Sequence, residues 1–196
     1  MVILFSHPAD FTPVCTTEFM TFASIADEFK VLNTELLGLS VDSIYAHIAW
    51  LRKIQELEWN GMKNVEVKFP LIEDIKMVVA NKFGMIQPGQ SNTQAVRAVF
   101  IINPDSRNRT ILYYPLSMGR NSDEIKRIII ALQKTDKDKV ATPANWRRGM
   151  MLLFQHLVHV LQTRKEIIFC VIHTVNLKLS SFSLTVFFII FIKKQF

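Results

Sequence analysis

The positions of glycine and proline divide this chain of 196 residues into two parts. All six glycines and all seven prolines lie at or before Gly149, and residues 150–196 contain neither. Turn residues that separate apolar segments are typical of a compact domain, whereas a long apolar stretch without them is not. We therefore predict a globular domain over residues 1–149 and an apolar, basic tail over residues 150–196.

The charge of the chain follows the same division. The net charge is +6, of which residues 150–196 contribute +4 through five basic and one acidic side chain. The predicted domain is thus close to neutral, so a nucleic-acid partner is not expected. With 49% hydrophobic residues and 20% charged residues, the chain is not expected to be disordered.

Membrane insertion of the tail is a weak prediction. Between Lys178 and Lys193 lie 14 uncharged residues, fewer than the ~17–25 that a membrane-spanning helix needs. The final lysine pair is either a solvated chain end or a weak contact with a membrane surface. The N-terminus lacks the basic region of a signal peptide, so we expect a cytoplasmic protein in which Cys15 and Cys170 remain thiols.

Apolar periodicity predicts strands that alternate with helices. The predicted strands cover residues 2–5, 35–41, 67–72, 96–102 and 110–114. The predicted helices cover residues 13–30, 43–58, 75–83 and 122–133. This order indicates an α/β fold with a mixed central sheet and helices on both faces. Because the first strand reads as a buried, central one, its neighbours come from later in the chain, or the fold is incomplete at the N-terminus.

Cys15 has the strongest physical case for chemistry. Thr12 suits the N-cap of the following helix and Pro13 its first position, which puts the sulfur in the first helical turn. Unpaired backbone N–H groups and the helix dipole stabilise a thiolate there. The alternative is a small buried hydrophobic side chain, because free cysteine is often buried.

The residues around Cys15 resemble a known motif. The segment FSHPADFTPVCTTE contains the pattern P-x-x-x-T-x-x-C, and AVRAVFIINPD, ILYYP, GRN and VATPANW follow it. From about Val2 to about Arg147 the chain resembles the one-cysteine peroxiredoxins of the peroxiredoxin-6 subfamily, N-terminally truncated and followed by an unrelated tail. The resemblance implies a thioredoxin-like fold and a thiol peroxidase that contributes to antioxidant defence and redox homeostasis.

The resemblance also implies roles for individual residues. Cys15 matches the peroxidatic cysteine, whose thiolate attacks a hydroperoxide and becomes a sulfenic acid. Thr12 matches the hydroxyl that hydrogen-bonds the peroxide, and Pro8 matches the residue that shields the site from water. Arg97 matches the arginine that stabilises the thiolate and the developing charge. Without the resemblance, Arg97 could also reach solvent from a strand edge.

Three further side chains are supporting candidates. Glu18 lies three residues after Cys15 on the same helix face, where it either orients an arginine or caps the helix. His7 and Arg120 match the histidine and arginine of the subfamily's SHP and GRN segments. Without the resemblance, His7 would be interpreted as a packed loop residue. His47, at helical spacing, and Trp50 and Trp59 are interpreted as packing residues.

The implied substrates are hydrogen peroxide and organic or lipid hydroperoxides. The implied reductant is an external thiol such as glutathione or a thioredoxin-like protein, and an intact domain is expected to form a homodimer. We expect no cofactor and no metal site, since His156 and His159 lie in an apolar stretch without further ligands. Cys170, in the unmatched tail, is interpreted as structural or incidental. The alternative function is a catalytically compromised peroxiredoxin fragment that acts only by association with relatives or membranes.

Overall fold

The structure is a computed structural model that describes residues 1–154, 159–163, 166–179 and 182–194, with side chains described over residues 1–153. The chain forms two compact units, Met1–Ile129 and Ile130–Phe196. The predicted boundary at Gly149 rests on amino-acid composition rather than on contacts between residues, and it stays a prediction.

The first unit contains a five-stranded mixed sheet. Its strands are β1 (Val2–Ser6), β2 (Glu35–Ser40), β3 (Leu71–Glu73), β4 (Arg97–Ile102) and β5 (Asn108–Tyr114). In the sheet the order is β3-β2-β1-β4-β5. Strand β1 pairs in parallel with β2 and antiparallel with β4, and the β4–β5 pair is antiparallel. The predicted mixed sheet, with the first strand at its centre, is confirmed.

Five helices accompany the sheet. They are α1 (Pro13–Ser24), α2 (Ala26–Val31), α3 (Ile44–Gln55), α4 (Val78–Lys82) and α5 (Ser122–Asp138). The single helix predicted over residues 13–30 is wrong, because Ile25 interrupts it with φ −107° and ψ 8°. The hydroxyls of Thr21 and Ser24 donate to carbonyls three or four residues earlier, a pattern that bends helices.

Helix α4 begins three residues later than the pattern predicts. The buried Asp74 carboxylate accepts hydrogen bonds from the backbone N–H groups of Val78, Val79 and Ala80, at 2.9, 3.2 and 2.6 Å. Met77 turns into the helix with φ 54°. A side chain outside the helix therefore fixes the start of this element, which the periodicity of the apolar residues cannot show.

An aromatic cluster holds α1 against the centre of the sheet. Phe5 of β1 contacts Phe19 and Phe22 of α1, with ring centroids 5.5 and 4.7 Å apart. Trp50 of α3 packs on Phe19 at 4.6 Å, and all four side chains are at most 1% exposed. Because aromatic side chains of this size restrict movement in a packed core, the start of α1 has a fixed position relative to β1.

In the second unit, two short strands, β6 (Val140–Ala141) and β7 (Leu153–Phe154), pair with each other. Strands β8 (His159–Thr163), β9 (Glu166–Leu179) and β10 (Phe182–Lys194) form an antiparallel sheet. Cys170 lies in β9, opposite Phe191 of β10, and its side chain lies outside the described part of the chain. Among the described residues, no helix has both the length and the apolar character needed to cross a membrane.

We predict that Asp74→Ala destabilises the first unit. The change leaves three backbone N–H groups at the start of α4 without their acceptor, and the free energy of unfolding should fall by about 2–3 kcal/mol. Urea denaturation measures this loss. Asp123→Ala is the matched control, because Asp123 is an exposed acidic residue in the first turn of α5 and should cost less than about 1 kcal/mol. Equal losses in the two variants would contradict the assignment.

Candidate active site

Cys15 lies in the first turn of α1, with Thr12 at the N-cap and Pro13 as the first helical residue. The predicted helix start is confirmed. The Thr12 hydroxyl, however, donates to the carbonyl of Ala9 at 2.9 Å rather than capping the helix. The N–H groups of the first turn therefore keep their positive ends available for an anion near Cys15.

Arg97 of β4 reaches the sulfur of Cys15. Its Nη1 donates to Cys15 Sγ at 3.2 Å, and both residues are buried. The other side of the guanidinium is fixed, because Nε and Nη2 donate to the carbonyl of Leu116 at 3.2 and 3.1 Å. The alternative of an arginine that extends into solvent is excluded, since Arg97 is 2% exposed.

Glu18 lies between two arginines. Its Oε2 accepts from Nη1 of Arg97 at 2.7 Å and from Nη1 of Arg120 at 2.9 Å. Its Oε1 accepts from the backbone N–H of Arg120 at 2.8 Å. The Arg120 guanidinium also donates to the carbonyl of Ser6. Glu18 therefore orients both guanidinium groups, and the capping alternative is wrong because Glu18 lies beyond the first turn of α1.

The three charged side chains next to Cys15 carry a net positive charge. Arg97 and Arg120 carry two positive charges, Glu18 carries one negative charge, and the three side chains are between 1% and 5% exposed. Burial lowers the pKa of Arg120, while the neighbouring charges of Glu18 and Cys15 act in the opposite direction. One further negative charge at the position of Cys15 would make the buried cluster neutral, so the cluster is suited to an anion there.

The other predicted site residues lie at the end of β1. Pro8 is buried in the loop between β1 and α1. His7 is fully buried and contacts Phe19 edge-to-face and Trp50 in a tilted arrangement, with ring centroids 4.8 and 5.0 Å away. Since Phe19 lies one helical turn after Cys15, His7 packs on the face of α1 that carries the cysteine.

His7 belongs to a buried array with Asp10 and His47. The Nε2 of His7 is 2.8 Å from Asp10 Oδ1, and Nδ1 of His47 is 2.7 Å from Asp10 Oδ2. Because an ionised carboxylate only accepts, both imidazoles donate to Asp10. Trp50 is buried as predicted, whereas Trp59 is 50% exposed and the prediction that it packs is wrong. The interpretation of His47 as a packing residue misses its hydrogen bond to Asp10.

The two histidines of the array have opposite pKa shifts. Burial is the main influence on His7 and lowers its pKa. Burial acts in the same direction on His47, but the hydrogen bond and the charge of Asp10 outweigh it and raise the pKa of His47. For Asp10, burial favours the neutral carboxyl, but hydrogen bonds from His47 and His7 outweigh it and lower the pKa. The array thus holds one carboxylate between a neutral His7 and a more basic His47.

His7, Asp10 and Asp42 also place potential metal ligands within 4.8 Å of one another. Both Asp10 oxygens already bind histidines. Asp42 Oδ2 accepts from the backbone N–H of Asp10 at 2.9 Å and from the Ser40 hydroxyl at 3.0 Å. At least one oxygen of each carboxylate is therefore engaged in hydrogen bonds within the protein.

The structure thus brings together Cys15, Glu18, Arg97 and Arg120, and places Thr12, Pro8 and His7 around the start of α1. Sequence reasoning missed Asp10, Asp42 and His47. The i, i+3 spacing of His7 and Asp10 was a usable signal, because the two residues lie in one loop. The partners from β2 and α3 carry no comparable signal, because only the packed fold brings them to Asp10.

Comparison with known proteins gives consistent matches. Residues 1–110 match the AhpC/TSA family, and residues 131–153 match the C-terminal domain of 1-Cys peroxiredoxin. A peroxiredoxin of Methanosarcina mazei is 69% identical over 149 residues, which cover 76% of this chain and 68% of the relative. The chain spans between 59% and 68% of the length of the curated relatives that it matches.

Solved structures of peroxiredoxins have the same fold. A cysteine-to-serine mutant of the peroxiredoxin 6 of Arenicola marina superposes with a TM-score of 0.72 at 35% identity, covering 80% of this chain and 72% of that one. A yeast mitochondrial 1-Cys peroxiredoxin superposes with a TM-score of 0.70 at 40% identity, covering 78% and 73%. The thioredoxin-like fold expected from the sequence is confirmed.

We predict that Glu18→Gln destabilises the fold strongly. The change removes the only carboxylate that contacts the buried guanidinium groups of Arg97 and Arg120 within the described residues, and should cost about 3 kcal/mol in urea unfolding. Glu28→Gln is the control, because Glu28 pairs with Lys126 at an exposed position and its loss should cost less than about 1 kcal/mol. A cost for Glu18→Gln as small as that of the control would refute the role of Glu18.

Proposed function

Since the chain belongs to the AhpC/TSA family of peroxiredoxins, we propose that it is a thiol-dependent peroxidase in which Cys15 is the nucleophile. The observation that carries this proposal is the guanidinium of Arg97, which donates from one nitrogen to Cys15 Sγ at 3.2 Å and to Glu18 at 2.7 Å. A buried thiol beside a fixed cation exists more readily as the thiolate, which is the reactive form.

In the proposed reaction, the Cys15 thiolate attacks the terminal oxygen of a hydroperoxide. An S–O bond forms as the O–O bond breaks, so the sulfur is oxidised and the peroxide is reduced. The leaving oxygen takes up a proton and departs as water or an alcohol, and Cys15 is left as a sulfenic acid. Two equivalents of an external thiol then restore the cysteine, releasing one water and one disulfide.

Thr12 and Arg97 act on opposite sides of the reacting oxygens in this proposal. The Thr12 hydroxyl donates its hydrogen to Ala9, so its oxygen is free to accept a hydrogen bond from the hydroperoxide. The Arg97 guanidinium stabilises the negative charge that develops as the O–O bond breaks. Pro8, which is buried in the loop before α1, shields the site from water. The Arg97 guanidinium needs little rearrangement during the reaction, because Glu18 and the carbonyl of Leu116 already hold its N–H groups.

We infer a one-cysteine mechanism from two observations. Residues 131–153 match the C-terminal domain of 1-Cys peroxiredoxin. Cys15 is the only cysteine among residues 1–153, whose side chains the structure describes, and Cys170 lies in β9 of the second unit. The reductant is therefore an external thiol. The yeast protein of similar structure resolves its thiol through glutathione and thioredoxin systems, and we propose glutathione or a thioredoxin-like protein here.

The substrate class follows from the same site. We propose hydrogen peroxide and organic or lipid hydroperoxides, because the proposed reaction involves only the two peroxide oxygens and places no requirement on the organic substituent. We also propose that the protein acts in the cytoplasm, as a homodimer, in antioxidant defence and redox homeostasis.

We predict that Cys15→Ser abolishes peroxide consumption in the presence of a thiol reductant, because no nucleophilic sulfur remains in the site. Cys170→Ser is the matched control and should keep the activity of the parent protein. Mass spectrometry provides an independent measurement: one equivalent of peroxide should convert Cys15 to a sulfenic acid that dimedone traps. Trapping on Cys170 alone, or loss of activity only in Cys170→Ser, would show that Cys15 is not the nucleophile. No consumption by the parent protein would reject the peroxidase function.

We also predict that Arg97 acts through its charge and its planar shape. Arg97→Met keeps much of the aliphatic stem and removes the charge, so the stopped-flow rate of Cys15 oxidation should fall by about 100-fold. Arg97→Lys keeps the charge but loses the planar, two-nitrogen geometry of the guanidinium. Its oxidation rate should lie between those of the parent protein and Arg97→Met. Rates are compared at equal concentrations of folded protein. A Met variant as fast as the parent would show that the guanidinium has no part in the reaction.

A further inference from the structure

Asp10 connects four segments of the first unit. Its carboxylate binds His7 at the end of β1 and His47 of α3, at 2.8 and 2.7 Å. Its backbone N–H donates to Asp42, just after β2, at 2.9 Å. Asp10 itself belongs to the loop that leads into α1, and its side chain is 2% exposed. The carboxylate and the backbone N–H of Asp10 are therefore both held by hydrogen bonds to neighbouring segments of the first unit.

The neighbours of Asp10 in the chain explain what this fixation achieves. Phe11, the next residue, has φ 58°, a left-handed conformation that is unfavourable for a bulky side chain. Ala9, the preceding residue, holds the Thr12 hydroxyl through its carbonyl at 2.9 Å. The hydrogen bonds of Asp10 thus hold a strained loop in the one conformation that orients the Thr12 hydroxyl at the start of α1.

We propose that Asp10, supported by His47, is a positioning residue for the thiol reaction: it fixes the loop over residues 8–12, so that the Thr12 oxygen faces the hydroperoxide beside Cys15. This inference rests on the proposed peroxidase function and adds to it a residue pair that contacts neither the sulfur nor the peroxide. Asp10 acts through Ala9 and Thr12, and His47 acts through Asp10.

An aspartate suits this position better than its isosteric amide. The carboxylate accepts from both imidazoles at once, whereas an asparagine accepts with one atom and donates with the other. One of the two histidines would then have to change its tautomer and accept from the amide, which moves its own N–H to the opposite, buried ring nitrogen. The lowered pKa of Asp10, which hydrogen bonds from His47 and His7 produce against the effect of burial, agrees with a permanently ionised acceptor.

The test compares two reactions of the same thiol in Asp10→Asn. Alkylation of Cys15 by iodoacetamide depends on the thiolate but not on Thr12, whereas oxidation by hydrogen peroxide depends on both. We expect the peroxide rate to fall by about 10- to 100-fold, and the alkylation rate to change by less than about threefold. Equal losses in both reactions would indicate a general disturbance of the site and would overturn the proposal.

Two variants of His47 keep the test decisive even if Asp10→Asn fails to fold. His47→Leu removes the donor to Asp10 and should slow the peroxide reaction selectively. In His47→Asn, the amide nitrogen can occupy the position of Nδ1 and donate to Asp10, so most of the peroxide rate should return. Tyr113→Phe is the control, because it removes an unrelated hydrogen bond, from the Tyr113 hydroxyl to the carbonyl of Phe83, and should leave both rates unchanged.

A double-mutant cycle tests whether Asp10 acts through Thr12. In a Thr12→Val background the hydroxyl is absent, so Asp10→Asn, or His47→Leu in its place, should produce little further loss of peroxide rate. If the double variant instead loses peroxide rate by the product of the two single-variant factors, Asp10 does not act through Thr12 and the proposal is overturned. If the parent protein reacts with peroxide and the variants of Asp10 and His47 react equally fast, the inference fails and the peroxidase function stands. A parent protein that alkylates normally but does not react with peroxide rejects both.

Discussion

The buried contact between Glu18 and two guanidinium groups is the interaction on which the rest of the site depends. Arg97 and Arg120 are costly to bury, and one carboxylate compensates only part of their charge. The sulfur of Cys15 lies against Arg97 at 3.2 Å, where the uncompensated charge is available. The positive charge next to Cys15 is thus the part of the two buried guanidinium charges that Glu18 does not compensate.

The fold supplies this contact from distant parts of the chain. Glu18 and Cys15 come from α1, Arg97 comes from the first position of β4, and Arg120 comes from the segment before α5. Arg120 is additionally held by the carbonyl of Ser6, the last residue of β1. The end of β1 and the start of the antiparallel β4 lie side by side in the sheet. The topology of the sheet therefore determines where the two arginines can meet the helix.

Asp10 and Glu18 represent two versions of one arrangement, a buried carboxylate between two nitrogen bases. Glu18 lies between arginines, which stay protonated, so one positive charge is left for the thiolate. Asp10 lies between His7, whose pKa burial lowers, and His47, whose pKa Asp10 raises against the effect of burial. Neither histidine is therefore a permanently charged partner in the way that an arginine is. In physical terms, the first arrangement provides an electrostatic field, and the second provides a fixed position for the loop that carries Thr12.

The sequence by itself determined the local features of this protein. Apolar runs located β1, β2, β4 and β5, whereas the run over residues 67–72 begins four residues before β3. Thr12 and Pro13 located the start of α1. The resemblance of the segments around Cys15 and Arg97 to peroxiredoxins pointed to the residues of the candidate site. Local patterns suffice there, because strand burial and helix starts depend on neighbouring residues. Only the tertiary structure decided that Glu18 lies between Arg97 and Arg120, and that His47 binds Asp10. Each of these contacts joins side chains from different elements, and the distance between such residues is set by packing rather than by their spacing in the chain.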